Sequence, residues 1–495
     1  MKTAMRWANF FHMYQPAQQQ PDILEAIVAQ SYRLMLQGLI DHPDVRLTIN
    51  INGSLLELFD RYGHQDLIEM LRSLGLRKQV EFTGTAKYHA LLPFLNEREV
   101  ERQIVINQAT LEQYLGKANK PKGFFPTEMA YDKKLLPIIE ALGFEWLIVD
   151  EIACGGEVGK VDHQTVYDVA DSKLQVFFRN RQLSNVIMSG AVRTGETFLD
   201  IAHDHVEQGD YVVTAMDFET FGHHRPGLEQ SIFAVFAAAD VALVQISDLA
   251  MLYPRREQVT LVHSTWATSP LDIRNHSQFL SWSDPENVIH SDQWALTELA
   301  LQAVYTTHLS EDQYQLVRNK MDIALASDHF WWASAKPWWS VPMIEDGAFR
   351  LLDTLENISD LDRGTLEKGR ALYHRIVTTA FAWQRTGKIH QMMVEQGRVV
   401  RIPFQDRDDM TVYPVLIELM QRLEKEATVS REYEKAILWR DAIHKLENKL
   451  DAYDAVHAIE LLKLAIPETE ITAMLEKYKT DYAIIRGGQP EQRGA

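Results

Sequence analysis

The sequence lacks most of the features that mark disulfide-stabilised or membrane-bound chains. Its one cysteine, Cys154, cannot form a disulfide within the chain, so we expect a reducing compartment, the cytoplasm. No run of about 18 apolar residues is present, so no membrane-spanning helix is expected. The first residues, MKTAMRWANFFHMYQP, lack the long apolar segment and cleavage site of a signal peptide. Cys154 precedes two glycines, and we interpret it as inert rather than as a nucleophile.

Basic residues are also fewer than acidic ones. The chain has 50 Lys and Arg against 69 Asp and Glu, a net charge of −19. This balance argues against a general nucleic-acid-binding protein and against an anionic membrane surface as partner. The 11 Trp and 17 Tyr are compatible with a protein that stacks sugar rings, although most aromatic side chains in a chain of this size are expected in the core. At 495 residues, two or three domains are expected.

Strand-like and helix-like segments alternate over the first half of the chain. Strands are predicted at 7–11, 45–51, 80–85, 146–149 and 211–216, and helices at 22–40, 64–74, 97–115 and 133–142. This alternation is typical of parallel βα units in an α/β fold. Residues 165–180 are interpreted as two antiparallel strands that form an insertion. Helical periodicity prevails after residue 350, at 350–358, 363–386 and 411–428.

Two apolar segments of strand character are each followed by a carboxylate with a candidate catalytic role. The apolar run from Tyr211 to Met216 is followed by Asp217, and Glu128 comes just after a short apolar segment that ends in Pro126. Parallel α/β barrels carry their chemistry at the carboxyl ends of their strands. A pair of carboxyl groups there is the minimum for glycoside hydrolysis. The alternative for Asp217 alone is a turn cap.

Five stretches, in order, resemble the motifs of glycoside hydrolase family 57, and most closely those of its α-amylase-like branch. They are FHMYQP (11–16), EFTGTAKYHALLPF (81–94), GFFPTEMAYD (123–132), MDFETFGHH (216–224) and ALASDHFWWAS (324–334). The resemblance implies an incomplete seven-stranded (β/α) barrel over residues 1–345, followed by a C-terminal α-helical bundle. It also implies a retaining glycoside hydrolase or transglycosidase acting on α-linked glucans, with Glu128 as nucleophile and Asp217 as general acid/base. The two carboxyl groups are then expected about 5–5.5 Å apart.

From these motifs, and from the stretch HSTWA (263–267), which resembles a Ser-Trp-Ala loop of the family, we predict a set of substrate-binding residues. They are His12, Tyr14, His89, Glu219, His224, Trp266, Asp328, His329, Trp331 and Trp332. Asp328 is expected to bind a sugar diol, with helix capping as the alternative. Glu219 is expected to support Asp217 or to pair with Arg225. Trp338 and Trp339 fit a sugar subsite and a barrel-to-bundle interface equally well.

The motifs depart from the family pattern in places, which leaves other functions open. The first motif reads His-Met-Tyr-Gln-Pro, and His223 takes a place where amylase-like members often have Glu. A catalytically silent carbohydrate-binding or scaffold relative is therefore an alternative. A zinc enzyme is a weaker one, with His12, Asp217, His223 and His224 as the available ligands. Because Glu128 is present in its motif, no metal and no cofactor are expected.

The C-terminal third is predicted to be helical. Residues 346–428 are expected to form a helical domain packed on the barrel, residues 429–450 a UVR-like segment, residues 451–485 further helix and residues 486–495 a disordered tail. The resemblance to a UVR hairpin lies in Tyr433, Ala436, Arg440, Asp441, Ile443 and Leu446. It implies a possible protein partner that binds through 431–449. The alternative is one amphipathic helix with ion pairs at i,i+4 spacing.

Overall fold

A computed structural model describes residues 5–190, 194–206, 209–238, 240–336, 338–395 and 413–448, and short stretches between 458 and 477. Its strands, in chain order, are β1 (Met5–Met13), β2 (Leu47–Ile51), β3 (Val80–Gly84), β4 (Gly123–Phe124), β5 (Trp146–Asp150), β6 (Val166–Val169), β7 (Gln175–Arg179), β8 (Tyr211–Asp217), β9 (Val241–Val244) and β10 (Arg256–Val259). All five predicted strands are present.

These strands form one curled sheet. Within it β8, β1, β2, β3, β4, β5 and β7 lie side by side in that order, and every neighbouring pair is parallel. The sheet curls far enough for the Asn180 amide, just after β7, to donate to the Val213 carbonyl in β8 at 2.7 Å. The seven-stranded incomplete barrel expected from the sequence is therefore confirmed.

The pair of strands at 165–180 is not an insertion. β6 and β7 are antiparallel, as predicted, but β7 is also parallel to β5 and forms part of the barrel wall. Phe177 of β7 packs edge-on against Trp146 of β5 in the core, with ring centroids 5.6 Å apart. The tight turn between β6 and β7 suggested an isolated hairpin, whereas burial of the apolar side chains of β7 places it in the sheet. Sequence analysis did not predict β9 and β10.

Helices flank and follow the barrel strands. In chain order they are α1 (Pro21–Ile27), α2 (Arg33–Asp41), α3 (Gly53–Arg61), α4 (Gln65–Leu76), α5 (Glu97–Leu115), α6 (Leu136–Ala141), α7 (Arg181–Ser189), α8 (Gly195–His205), α9 (Leu228–Phe236), α10 (Ile246–Leu252), α11 (Pro270–Arg274), α12 (Val288–Thr306), α13 (Glu311–Ala324), α14 (Asp328–Trp331), α15 (Val341–Glu356), α16 (Arg363–Thr386), α17 (Lys388–Glu395), α18 (Tyr413–Val429) and α19 (Tyr433–Asn448). A π-helical turn, Val28–Tyr32, joins α1 to α2.

Helix α5 illustrates how these helices are fixed. It begins at the Asn96 cap, whose side-chain oxygen accepts from the Glu99 amide. Its buried face includes Glu99, an anion that needs partners inside the protein. Arg318 of α13 donates to Glu99 at 2.9 Å and to Asp322 at 3.1 Å. Because these groups are almost fully buried, the ion pair fastens α13 to α5.

Helices α12 to α16 belong to the same compact unit as the barrel, which comprises Met1–Ser184 and Arg193–Ile389. This unit extends past the predicted boundary at residue 345. One hydrophobic core contains Leu147 of β5, Leu296 of α12 and Leu351 of α15. The helical layer is thus continuous with one side of the barrel.

The second unit comprises Asn185–Val192 and His390–Ala495. Within it α18 and α19 pack together across a short turn that contains Arg431 in a left-handed conformation. The UVR-like segment forms one helix, α19, which buries Trp439, Ile443 and Leu446. It is therefore not a hairpin by itself, and its role in binding a partner stays a prediction. The predicted tail 486–495 and most of 451–485 lie outside the described residues.

None of the helices in the described part of the chain is long and apolar enough to cross a membrane.

Candidate active site

Most strands of the barrel end in a polar residue, and these ends lie at the same edge. They are His12 on β1, Asn50 on β2, Thr83 on β3, Asp150 on β5, Arg179 on β7 and Asp217 on β8. The parallel register places His12 between Asn50 and Asp217. Glu128 follows β4, which ends early because Pro126 cannot donate a ladder hydrogen bond. The carboxyl edge of the barrel is therefore lined with polar and ionisable groups.

Glu128 has a strained backbone and a firmly held side chain. Its φ is 61°, and Met129 follows with a φ of 49°, so two residues other than glycine lie consecutively in the left-handed region. The Trp266 indole donates to Glu128 Oε2 at 2.7 Å, and the Trp266 amide donates to the Glu128 carbonyl at 3.2 Å. The Glu128 side chain is 15% exposed. The carboxyl group is thus aimed by the loop that carries Trp266.

Glu128 and Asp217 influence each other's environment. Burial, together with the negative charge of Asp217, raises the pKa of Glu128 to about 8, while the hydrogen bond from Trp266 opposes the shift. Burial also raises the pKa of Asp217 to about 6, against the positive charge of Arg179. Two buried carboxyl groups that repel one another share their protons, so the pair holds one proton near neutral pH.

A directed chain of hydrogen bonds links His12 and His89. Asn50 Nδ2 donates to Thr83 at 2.9 Å, so its Oδ1 accepts from His12 Nδ1 at 2.7 Å. His12 Nε2 must then accept from His89 Nε2 at 3.2 Å, and His89 Nδ1 accepts from the Ser327 hydroxyl at 3.1 Å. Burial lowers the pKa of His12 to about 4 and that of His89 well below its usual value. Both imidazoles are therefore neutral.

Tyr14 and Asp328 continue this side of the site. The ring of Tyr14 stacks on His89 with centroids 4.0 Å apart, and its hydroxyl donates to Asp328 Oδ2 at 2.7 Å. Burial raises the pKa of Asp328, and the hydrogen bond from Tyr14 opposes that rise. His89 Nε2 lies 3.9 Å from Glu128 Oε1. The first, second, third and fifth motifs are thereby brought to one place.

Glu219 lies behind Asp217 in a separate buried group. Its Oε1 accepts from Gln15 at 3.0 Å and from the Tyr32 hydroxyl. Tyr32 lies on the π-helical turn, a feature often found beside functional sites. Burial and the charge of Asp217 raise the pKa of Glu219 to about 8. Glu219 is thus anchored to Gln15 and Tyr32 next to the loop 217–222.

The predicted tryptophans lie in three places. Trp266 lies in the site, with its ring 6.4 Å from that of His12. Trp331, Trp332 and Trp338 form a half-buried cluster in which Trp331 and Trp338 stack at 4.7 Å. Trp339 instead stacks on Trp383 of α16 and donates to Gln384 at 2.7 Å, which favours the packing role.

Two predicted binding histidines are placed elsewhere. His329 is 4% exposed, bonds to Gln293 at 3.0 Å and packs against Gly347 of α15. His224 is exposed, and its ring lies beside that of His223. His329 therefore takes part in helix packing, and His224 lies on the surface of the loop.

Zinc ligation by the predicted residues meets a chemical obstacle. Both ring nitrogens of His12 are engaged in hydrogen bonds, and His223 Nδ1 bonds to Gln30 at 2.6 Å. In the part of the chain that the structure describes, no three His, Cys, Asp or Glu side chains are arranged to hold a metal ion.

Four residues at this edge were not predicted. Asp150 accepts from Arg179 Nη1 at 2.8 Å and from Arg181 Nε at 2.9 Å, and both carboxylate oxygens are buried. Asn50 fixes His12. The available signal was a charged or amide residue at the end of each strand, but nothing in the sequence reveals that β7 is part of the barrel wall.

Buried carboxyl groups at the carboxyl edge of a parallel barrel, beside stacked rings, are typical of barrel-type carbohydrate-active enzymes. Comparison with known families agrees. The family model described as glycosyl hydrolase family 57 matches residues 6–254, half of the chain, so the chain belongs to that family.

Individual relatives match over shorter stretches. α-Amylase 1 of Dictyoglomus thermophilum is 25% identical over 141 residues, which are 28% of this chain and 20% of that protein. A 4-α-glucanotransferase of Thermococcus kodakarensis is 26% identical over 150 residues, 30% of this chain and 22% of that protein. The chain thus spans about a fifth of the length of these relatives.

Solved structures show the same fold over more of the chain. A family 57 branching enzyme of Thermococcus kodakaraensis, in complex with glucose, has a TM-score of 0.59 at 15% identity and covers 76% of this chain and 96% of its own. A 4-α-glucanotransferase of Thermococcus litoralis has a TM-score of 0.55 at 15% identity and covers 71% of this chain and 60% of its own.

Proposed function

We propose that this protein is a retaining glycoside hydrolase or transglycosidase of the α-amylase or 4-α-glucanotransferase type, acting on α-linked glucans. The observation that carries the proposal is the pair of buried carboxyl groups at the ends of β4 and β8. They are close enough for the charge of Asp217 to raise the pKa of Glu128. Glu128 is the nucleophile, and Asp217 is the general acid/base.

The reaction takes place in two steps. In the first, ionised Glu128 attacks C1 of the sugar while the carboxylic acid of Asp217 gives its proton to the leaving oxygen, which forms a covalent glycosyl-enzyme. In the second, the Asp217 carboxylate takes a proton from water or from an acceptor hydroxyl, which attacks C1 and releases Glu128. Water gives hydrolysis, and a sugar hydroxyl gives transfer.

The first step requires a shift of the shared proton. In the free protein that proton favours Glu128, whose pKa is the higher of the two. Positive charge that develops at C1 favours an ionised Glu128, and the Trp266 indole stabilises the same anion at 2.7 Å. Substrate therefore favours transfer of the proton to Asp217. Neutral His12 and His89 do not compete for it.

The substrate class rests on the lining of the site and on the relatives. Tyr14, Trp266 and Asp328 offer aromatic faces and a carboxylate for neutral sugar rings and their hydroxyls. The matched relatives include α-amylases and 4-α-glucanotransferases. A neutral glucan needs no electrostatic steering, so this substrate class is compatible with the net charge of −19.

Turnover of maltooligosaccharides by the wild type, Glu128→Gln and Asp217→Asn tests this proposal. Both variants should lose at least about a thousandfold in kcat, since each removes a group that forms or breaks a bond in the transition state. The matched control is Glu99→Gln, a buried carboxyl group outside the site, which should keep activity wherever it folds. A covalent adduct on Glu128 in the mass spectrum and retained anomeric configuration by NMR should accompany turnover.

Two outcomes would contradict the proposal. Absence of turnover of any α-glucoside, with glucan binding retained, would favour the catalytically silent carbohydrate-binding or scaffold relative. Full activity of Asp217→Asn would show that Asp217 is not the general acid/base. The products formed from maltotriose then separate the two reactions, because transfer yields longer chains as well as shorter ones.

A further inference from the structure

A buried cation at the carboxyl edge has no part in the two-step scheme above. Arg179, the last residue of β7, is 2% exposed. Its Nη1 donates to Asp150 Oδ2 at 2.8 Å, and its Nε donates to the carbonyl of Ala215 at 2.9 Å. Ala215 lies two residues before Asp217 on β8. The guanidinium is thereby fixed against β8 near Asp217, and its charge acts on that carboxyl group.

The partners of Arg179 hold its position. Asp150 is shared, because its Oδ1 also accepts from Arg181 Nε at 2.9 Å and from the Ile152 amide at 3.0 Å. Arg181 is anchored further by a bond from Nη1 to the Thr268 carbonyl at 2.6 Å. Asp150 thus accepts from two guanidinium groups, and the charge of neighbouring Glu151 also acts on Arg179.

The other groups around Asp217 are acidic or neutral. From the loop after β4 comes Glu128, and from the loop after β8 comes Glu219. Tyr32 approaches from the π-helical turn, and neutral His12 lies opposite in β1. Burial raises the pKa of Asp217 and so disfavours its ionised form, whereas the positive charge of Arg179 favours that form. Glu151, beside Asp150, accepts from the Arg181 and Gly159 amides.

We propose that Arg179 is a positioning residue that keeps Asp217 ionised for the second half of the reaction, when Asp217 must act as a base. This inference rests on the proposed role of Asp217. In the first step the proton of Asp217 leaves with the departing sugar, so a new carboxylate appears in a buried site. Without a nearby cation, that carboxylate would regain a proton from solvent and could no longer accept one from water or an acceptor.

The two steps therefore respond differently to the loss of Arg179. In Arg179→Gln, deglycosylation should slow and the glycosyl-enzyme should accumulate. We expect kcat at neutral pH to fall about tenfold, while the maximum of kcat/KM across its pH profile, which reports the first step, changes less than about twofold. The acid limb of kcat should move to higher pH, because a base with a raised pKa is protonated sooner as the pH falls. Arg179→Lys keeps the positive charge, so the acid limb of kcat should lie at its wild-type pH.

Asp150→Asn provides a test of opposite sign. Removal of that carboxylate leaves the charge of Arg179 less neutralised, so the acid limb of kcat should move to lower pH. Damage to packing alone would not shift the limb in opposite directions in two variants. Arg318→Gln is the matched control, since it removes another buried arginine that pairs with carboxylates away from the site. It should lower stability and leave both limbs in place.

The outcomes separate this inference from the function it rests on. Equal falls of kcat and kcat/KM in Arg179→Gln, with no displaced limb and no accumulated adduct, would overturn the role of Arg179 while leaving that of Asp217 intact. If Arg179→Gln does not fold, an acid limb of kcat that stays in place or moves to higher pH in Asp150→Asn would overturn it instead. Full activity of Asp217→Asn would refute the proposed function itself.

Discussion

The coupled carboxyl pair makes the pH dependence of kcat/KM the most direct test of the site. Burial raises the pKa of Asp217 to about 6 and that of Glu128 to about 8. The reactive form contains one proton, and the pair holds one proton between these two values. A bell-shaped profile is therefore expected, with an acid limb near pH 6, a basic limb near pH 8 and a maximum near pH 7.

The size of the effect follows from the same values. One pH unit outside either limb, about a tenth of the protein carries the single proton, so kcat/KM should fall about tenfold at pH 5 and again at pH 9. The measurement is the initial rate on a short maltooligosaccharide at concentrations far below KM. The value of kcat/KM falls on both sides of the maximum. At low pH a second proton blocks Glu128 as a nucleophile, and at high pH loss of the last proton removes the acid.

Two variants check which groups are responsible. With an aryl α-glucoside, whose leaving group needs no protonation, Asp217→Asn should lose the basic limb, and kcat/KM should rise with pH as Glu128 ionises. Glu219 also has a pKa raised to about 8, so Glu219→Gln tests whether it contributes. We expect Glu219→Gln to keep the basic limb. A flat wild-type profile between pH 5 and pH 9 would refute the assignment of the pair.

Three further perturbations follow from the contacts. Trp266→Phe removes the donor 2.7 Å from Glu128 and should lower kcat about a hundredfold with little loss in melting temperature. Glu219→Gln should stabilise the fold by an amount that increases with pH and reaches at most about 5 kcal/mol at pH 9. The pKa of Glu219 is raised to about 8, so the wild-type protein loses unfolding free energy as the pH rises through that value, and the glutamine variant does not. Denaturant unfolding at pH 4 and pH 9 measures the difference. Arg318→Met leaves buried Glu99 unpaired and should cost about 3–5 kcal/mol of unfolding free energy, and an unchanged unfolding midpoint would contradict this.

Much of the barrel could be predicted because its strands carry strong local signals. The apolar, β-branched runs at 47–51 and 211–216 are strands in the structure, and the helix 97–115 has the predicted bounds. The strand β7 was misjudged because its neighbour β5 is separated from it by the β6 segment. Strands such as β9, whose residues are only half-buried, have no clear alternating pattern.

The contacts of the site were harder to predict than its residues. The motifs drew attention to Glu128, Asp217, His12 and His89, yet the left-handed backbone of Glu128 has no sequence signal because only glycine marks such positions reliably. The partners of Asp150 come from β7 and the residues just after it, and only the curl of the sheet brings them to the edge. His329 lies within a motif but points into the helical layer, since a motif does not specify which face each member occupies.

The loop from Ser264 to Trp266 explains how the strain at Glu128 is sustained. Left-handed residues other than glycine cost about 1–3 kcal/mol each, and here two are adjacent. The Tyr131 amide donates to the Ser264 carbonyl at 2.8 Å, and the Trp266 amide donates to the Glu128 carbonyl at 3.2 Å, so the loop is bonded to the turn on both sides of Met129. The same loop supplies the indole that bonds the Glu128 carboxyl group. Backbone strain and side-chain orientation therefore have one common support, and a change in this loop is expected to affect the nucleophile before it affects the rest of the fold.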